Sequence, residues 1–66
     1  MRIELNGERT DIPEPATVTD LLAQLDLTER RIAVEINEDV VPKSQFGQRQ
    51  LSPGDRVEII HAIGGG

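Results

Sequence analysis

Cysteine is absent from this 66-residue chain, as are tryptophan and tyrosine, and histidine and phenylalanine occur once each. Without cysteine there is no disulfide to staple a small fold, no thiolate metal cluster, and no thiol nucleophile or persulfide on the chain itself. The lone histidine, His61, has no partners at ligand spacing, so no metal site is expected. Positive charge is also scarce: 7 basic residues stand against 12 acidic ones, for a formal charge of −5. Nucleic acid is therefore not an expected partner, because phosphate binding needs a basic footprint. No apolar run approaches the roughly 18 residues that cross a bilayer. Met1-Arg2-Ile3-Glu4 lacks the apolar stretch of a secretion signal. The expectation is a cytoplasmic protein with no membrane segment. One domain over residues 1–66 is expected. A chain of this size buries only about 60% of the surface it exposes when unfolded.

What is present reads as alternating strands and turns around one helix. Asn6-Gly7 is a two-residue hairpin signal, since both central positions of a type I′ turn need positive φ. Counting outward from it pairs Leu5 with Glu8, Glu4 with Arg9, Ile3 with Thr10 and Arg2 with Asp11. Both outward pairs are then of opposite charge, a favourable cross-strand arrangement. Met1, Ile3, Leu5 and Ile12 fall on the core face. Pro13-Glu14-Pro15 ends the second strand, and Thr17-Val18-Thr19-Asp20 has the spacing of a capping box opening a helix to Leu25. Val18, Leu21, Leu22 and Leu25 form its apolar stripe, which packs on the core rather than on a cofactor.

Thr28-Glu29-Arg30-Arg31 reads as a solvated connector, with a docking patch as the alternative. Ile32–Ile36 is apolar at nearly every position, as an interior strand would be. Asn37-Glu38-Asp39 is a turn, Val40-Val41 a short strand halted by Pro42, and Phe46 a plug for the end of the core, with ligand stacking the lesser reading. Ser52-Pro53-Gly54-Asp55 is a Pro-Gly turn that launches a last strand from Arg56 to about Ile63. On that strand Glu58, Ile60 and Ala62 share the solvent face, while Val57, Ile59 and His61 point the other way. Ile60 and Ala62 are thus candidates for a contact surface, and His61 is expected to fill space at the sheet's end.

Gly64-Gly65-Gly66 follows this strand directly. Glycine loses the most backbone entropy on ordering, so residues 62–66 are expected to be a mobile tail whose one reactive group is the carboxylate of Gly66. The residues alone leave two readings open: a frayed end, or an arm that carries its carboxylate into another protein's active site.

The order of elements resembles the α+β, ubiquitin-like β-grasp fold, a mixed sheet of about five strands on one helix. More narrowly the chain resembles the ThiS family of sulfur carriers in thiamine biosynthesis. The resemblance rests on Met1–Gly7, Thr17–Leu25, Ala33-Val34-Glu35-Ile36-Asn37 through Val41-Pro42, the Gly54-Asp55 turn and the ending Ile63-Gly64-Gly65-Gly66. It implies a protein co-substrate rather than an enzyme, with no bound cofactor. A ThiF-like adenylyltransferase would consume ATP to activate Gly66, and a persulfide relayed from a cysteine desulfurase would convert it to a thiocarboxylate. A ThiG-like thiazole synthase would receive the sulfur. Gly64 and Gly65, lacking side chains, would thread the partner's channel. The alternatives are a carrier like the small subunit of molybdopterin synthase, a ubiquitin-like protein modifier, and an interaction module with an inert tail.

Overall fold

Asn6 and Gly7 sit at φ of 49° and 86°, the left-handed pair that a type I′ turn requires. The computed structural model that carries this turn describes residues 1–27 and 31–61. Strands β1 (Arg2–Leu5) and β2 (Glu8–Asp11) pair around the turn in the register counted from the sequence, from Leu5 with Glu8 to Arg2 with Asp11. The outer charge pair closes as an ion pair, Arg2 Nε to Asp11 Oδ1 at 3.0 Å. The hydrogen bond and charge of Arg2 hold the Asp11 carboxyl below its ordinary range.

Helix α1 (Val18–Gln24) begins at the expected capping box. Asp20 N–H donates to Thr17 Oγ1 at 3.2 Å, and Thr17 N–H donates to Asp20 Oδ2 at 2.9 Å. The other first-turn amides are met by the loop that returns past the helix. Val18 N–H reaches the Arg49 carbonyl at 3.0 Å and Thr19 N–H the Phe46 carbonyl at 3.1 Å. Helix starts leave such donors orphaned, so this loop completes the cap. Val18, Leu21 and Leu22 are buried by the helix, and Leu25 packs on the core edge.

Strand β3 (Ile32–Ile36) leads through a second tight turn, with Asn37 and Glu38 at φ of 53° and 74°, into β4 (Asp39–Val41). Pro42 ends β4, and a short 3₁₀ turn over Lys43–Gln45 brings Phe46 against the core as expected. Gly54, at φ 86°, completes the turn before β5 (Arg56–His61). The sheet order is β2-β1-β5-β3-β4, with β1 and β5 parallel and every other pair antiparallel. Ile3, Val34, Ile36, Val57 and Ile59 pack with the helix stripe on one face, and the other face is open to solvent. Among the described residues no helix is long and apolar enough to cross a membrane.

Candidate functional site

The segment that leads into the glycines is β5, and its two edges are held differently. Along one side β3 pairs with it from Ile36–Val57 to Ile32–His61. Along the other, β1 pairs only at Glu4–Arg56 and Leu5–Val57, because β1 then turns away at Asn6-Gly7. Asn6 closes the gap with one residue. Its N–H donates to the Val57 carbonyl at 2.9 Å, and its Oδ1 accepts the Ile59 N–H at 2.8 Å. Ile59 is only 7% exposed, so its amide would otherwise be a donor removed from water.

The root of β5 is tied as firmly. Asp55, buried at 8% exposure, accepts Asn37 Nδ2–H at 3.1 Å on Oδ1 and the Ser52 N–H at 2.8 Å on Oδ2. Asn37 Oδ1 accepts the Arg56 N–H at 2.9 Å. The carboxylate is thus spent on structure, and its oxygens are not presented to a ligand.

Alternation along β5 turns Glu58 and Ile60 to the open face. Ile60, opposite Ala33, is 47% exposed, and Val40 on the edge strand is 68% exposed. Between them Glu35 and Glu58 stand directly across the β3–β5 pair, with no ion pair to either among the described residues. Toward the start of β5, Arg56 lies 3.8 Å from the Glu38 carboxylate, and Glu4, Gly7, Glu38, Arg56, Val57 and Glu58 line a small depression. Among the described residues no group of three or more His, Asp or Glu side chains could hold a metal ion. The arrangement offers a mixed apolar and acidic surface beside a strand end.

Ile60 is exposed as the alternation required. Ala62, Gly64, Gly65 and Gly66 lie outside the described residues, as do Thr28, Glu29 and Arg30 of the connector. His61 departs from expectation: it is exposed and does not fill space at the sheet's end. Alternation assigns it the face of Val57 and Ile59, which are buried, yet His61 at the end of β5 is exposed. Two residues carry more than their sequence signals suggested. Asn6 was legible as a turn residue, not as a partner for an amide 53 positions away. Val40 was legible as a strand residue, and its edge position becomes plain only with the sheet order.

A five-stranded mixed sheet with parallel first and last strands adjacent, and one helix across a single face, is the ubiquitin-like β-grasp. The model of the ThiS family matches residues 2–66. The chain belongs to the ThiS family. It is 33% identical over 66 residues to the sulfur carrier protein ThiS of Escherichia coli, covering 100% of both chains. It is 41% identical, over its whole length, to a thiazole synthase of Paramagnetospirillum magneticum, but spans only 20% of that protein. A crystal structure of the thiamine biosynthesis protein ThiS from Geobacter metallireducens superposes with a TM-score of 0.87 at 30% identity, covering 100% of each chain.

Proposed function

We propose that this chain is a sulfur carrier of thiamine biosynthesis that works as a co-substrate and carries the sulfur on Gly66. The observation that carries the reading is the end-to-end match to sulfur carrier proteins, in a chain whose sequence after β5 reads Ala62-Ile63-Gly64-Gly65-Gly66. The chemistry follows from the carboxylate. Oxide is too poor a leaving group for sulfur to displace directly. A ThiF-like adenylyltransferase therefore joins the Gly66 carboxylate to the α-phosphate of ATP, releasing pyrophosphate. A persulfide supplied through a cysteine desulfurase attacks the acyl carbon and expels AMP. A thiol then cleaves the S–S bond, leaving a disulfide on the donor side and a thiocarboxylate on Gly66.

A ThiG-like thiazole synthase is the proposed recipient. Its support is the Paramagnetospirillum magneticum thiazole synthase, in which a region like this chain forms part of the same polypeptide. Residues 62–66 would reach about 16–18 Å from the strand end, at roughly 3.3–3.6 Å per residue. Gly64 and Gly65 would pass a channel that a Cβ would block. Ile60 and Ala62 would supply the apolar contact at the channel mouth. The test is sulfur loading of the purified chain by ATP, the adenylating partner and a persulfide donor. Transfer that survives Gly65→Val and deletion of Gly66 would remove the tail from the mechanism.

A further inference from the structure

We infer that Asn6 is a positioning residue for the C-terminal segment: its carboxamide, by holding the Ile59 amide, sets the point and direction at which the chain leaves the sheet. The inference rests on the sulfur-carrier reading above.

Strand β1 must reverse at Asn6-Gly7 to make β2, so its backbone cannot follow β5 past Val57. Asn6 does the work of a further strand residue without extending the strand. Its main chain meets the Val57 carbonyl at 2.9 Å, and its side chain meets the Ile59 N–H at 2.8 Å. β5 is therefore fastened on both edges as far as Ile59, two positions short of the last strand residue, His61.

The turn does not require this contact. Glycine and aspartate also tolerate the left-handed conformation that Asn6 adopts at φ 49°. What asparagine adds over glycine is the acceptor oxygen, and that oxygen points at the strand that feeds the glycines. Without it, the strand pairing of β5 beyond Val57 among the described residues would be to β3 only. Each residue that then frays lengthens the leaving segment by about 3.3–3.6 Å and must be ordered again when the segment enters a partner. A carrier with a blurred exit point should therefore dock less efficiently while reacting normally once docked.

Two variants separate this role from simple folding. Asn6→Gly keeps the turn and deletes the acceptor, and Asn6→Asp keeps both the turn and an acceptor oxygen. The readout is ATP–pyrophosphate exchange by the adenylating enzyme with the carrier as varied substrate, well below the carrier's melting temperature. Asn6→Gly should raise the KM for carrier about fivefold, the equivalent of one ordinary hydrogen bond, with kcat unchanged. Asn6→Asp should restore the KM. A wild-type KM for Asn6→Gly, or an Asn6→Asp variant as impaired as Asn6→Gly, overturns the inference. One measurement needs no variant: NMR scalar coupling across the hydrogen bond between the Ile59 amide nitrogen and the Asn6 side-chain carbonyl carbon. Its presence supports the inference and its absence overturns it. If the wild-type chain supports no exchange at all, the carrier reading itself fails, whereas normal exchange with an unaffected Asn6→Gly removes only the role of Asn6.

Discussion

Asn37 Nδ2 donates to Asp55 Oδ1 at 3.1 Å, locking the turn between β3 and β4 to the turn that starts β5. Asp55 also accepts the Ser52 N–H, and Asn37 accepts the Arg56 N–H, so the two side chains satisfy backbone and each other at once. Asp55→Ala leaves two donors without their partner in a partly buried site. The expected loss is about 1–3 kcal/mol of folding stability. In a domain this small that lowers the melting temperature by roughly ten degrees. Thermal denaturation followed by circular dichroism measures it, and an unchanged midpoint would deny the network its structural role.

Glu35 and Glu58 face each other across β3 and β5, and like charges in that position repel. Glu35→Gln should therefore stabilise the isolated chain by about 0.2–1 kcal/mol. The gain should shrink as salt screens the repulsion. Urea denaturation at low and high ionic strength checks both statements. A destabilised variant would mean that Glu35 has a favourable partner.

Much of the fold could be read from short-range chemistry. Asn6-Gly7 fixes the first hairpin's register because the turn type dictates the pairing, and Thr17 with Asp20 marks the helix start through a reciprocal cap. The second hairpin was harder to read as a two-residue turn, because Glu38 occupies a left-handed position at φ 74° where glycine is usual. The contacts Asn6–Ile59 and Asn37–Asp55 join residues 53 and 18 positions apart. No local pattern encodes them, since they exist only once β5 inserts between β1 and β3. His61 shows the same limit: alternation assigns it the face of the buried Val57 and Ile59, but burial at a strand end depends on the surrounding tertiary packing. Of the residues expected to take part in function, Ile60 is placed as alternation required, while Gly64, Gly65 and Gly66 are known from the sequence only.

The Arg2–Asp11 pair carries a pH dependence of defined sign. Its hydrogen bond and charge lower the Asp11 pKa in the folded chain, so in mildly acid solution the unfolded chain binds the more protons. The pair's contribution is present above the ordinary aspartate range and is lost as pH falls through the lowered value. Asp11→Asn should therefore lose less stability than the wild type on acidification from neutral pH, with the difference reduced by salt. Denaturant midpoints across the acid range test this. Equal acid sensitivity in both proteins would show that the exposed pair contributes nothing measurable.

Ile60 is 47% exposed on the open face, so Ile60→Asp should leave the fold intact. On the proposed function, in which Ile60 lies at the channel mouth, binding to an adenylating partner should weaken severalfold as a charge replaces an apolar contact. Calorimetric titration of wild type and variant measures the change. An unaltered affinity would place the docking surface elsewhere.

In the proposed mechanism Gly66 carries the sulfur. Intact-protein mass spectrometry of the chain, after incubation with ATP, the adenylating partner and a persulfide donor, tests it most directly. The predicted result is a species with one oxygen replaced by sulfur, located by fragmentation at Gly66 and absent when ATP is omitted. An unmodified carboxylate under these conditions, with a partner shown to be active on another ThiS protein, would contradict the account.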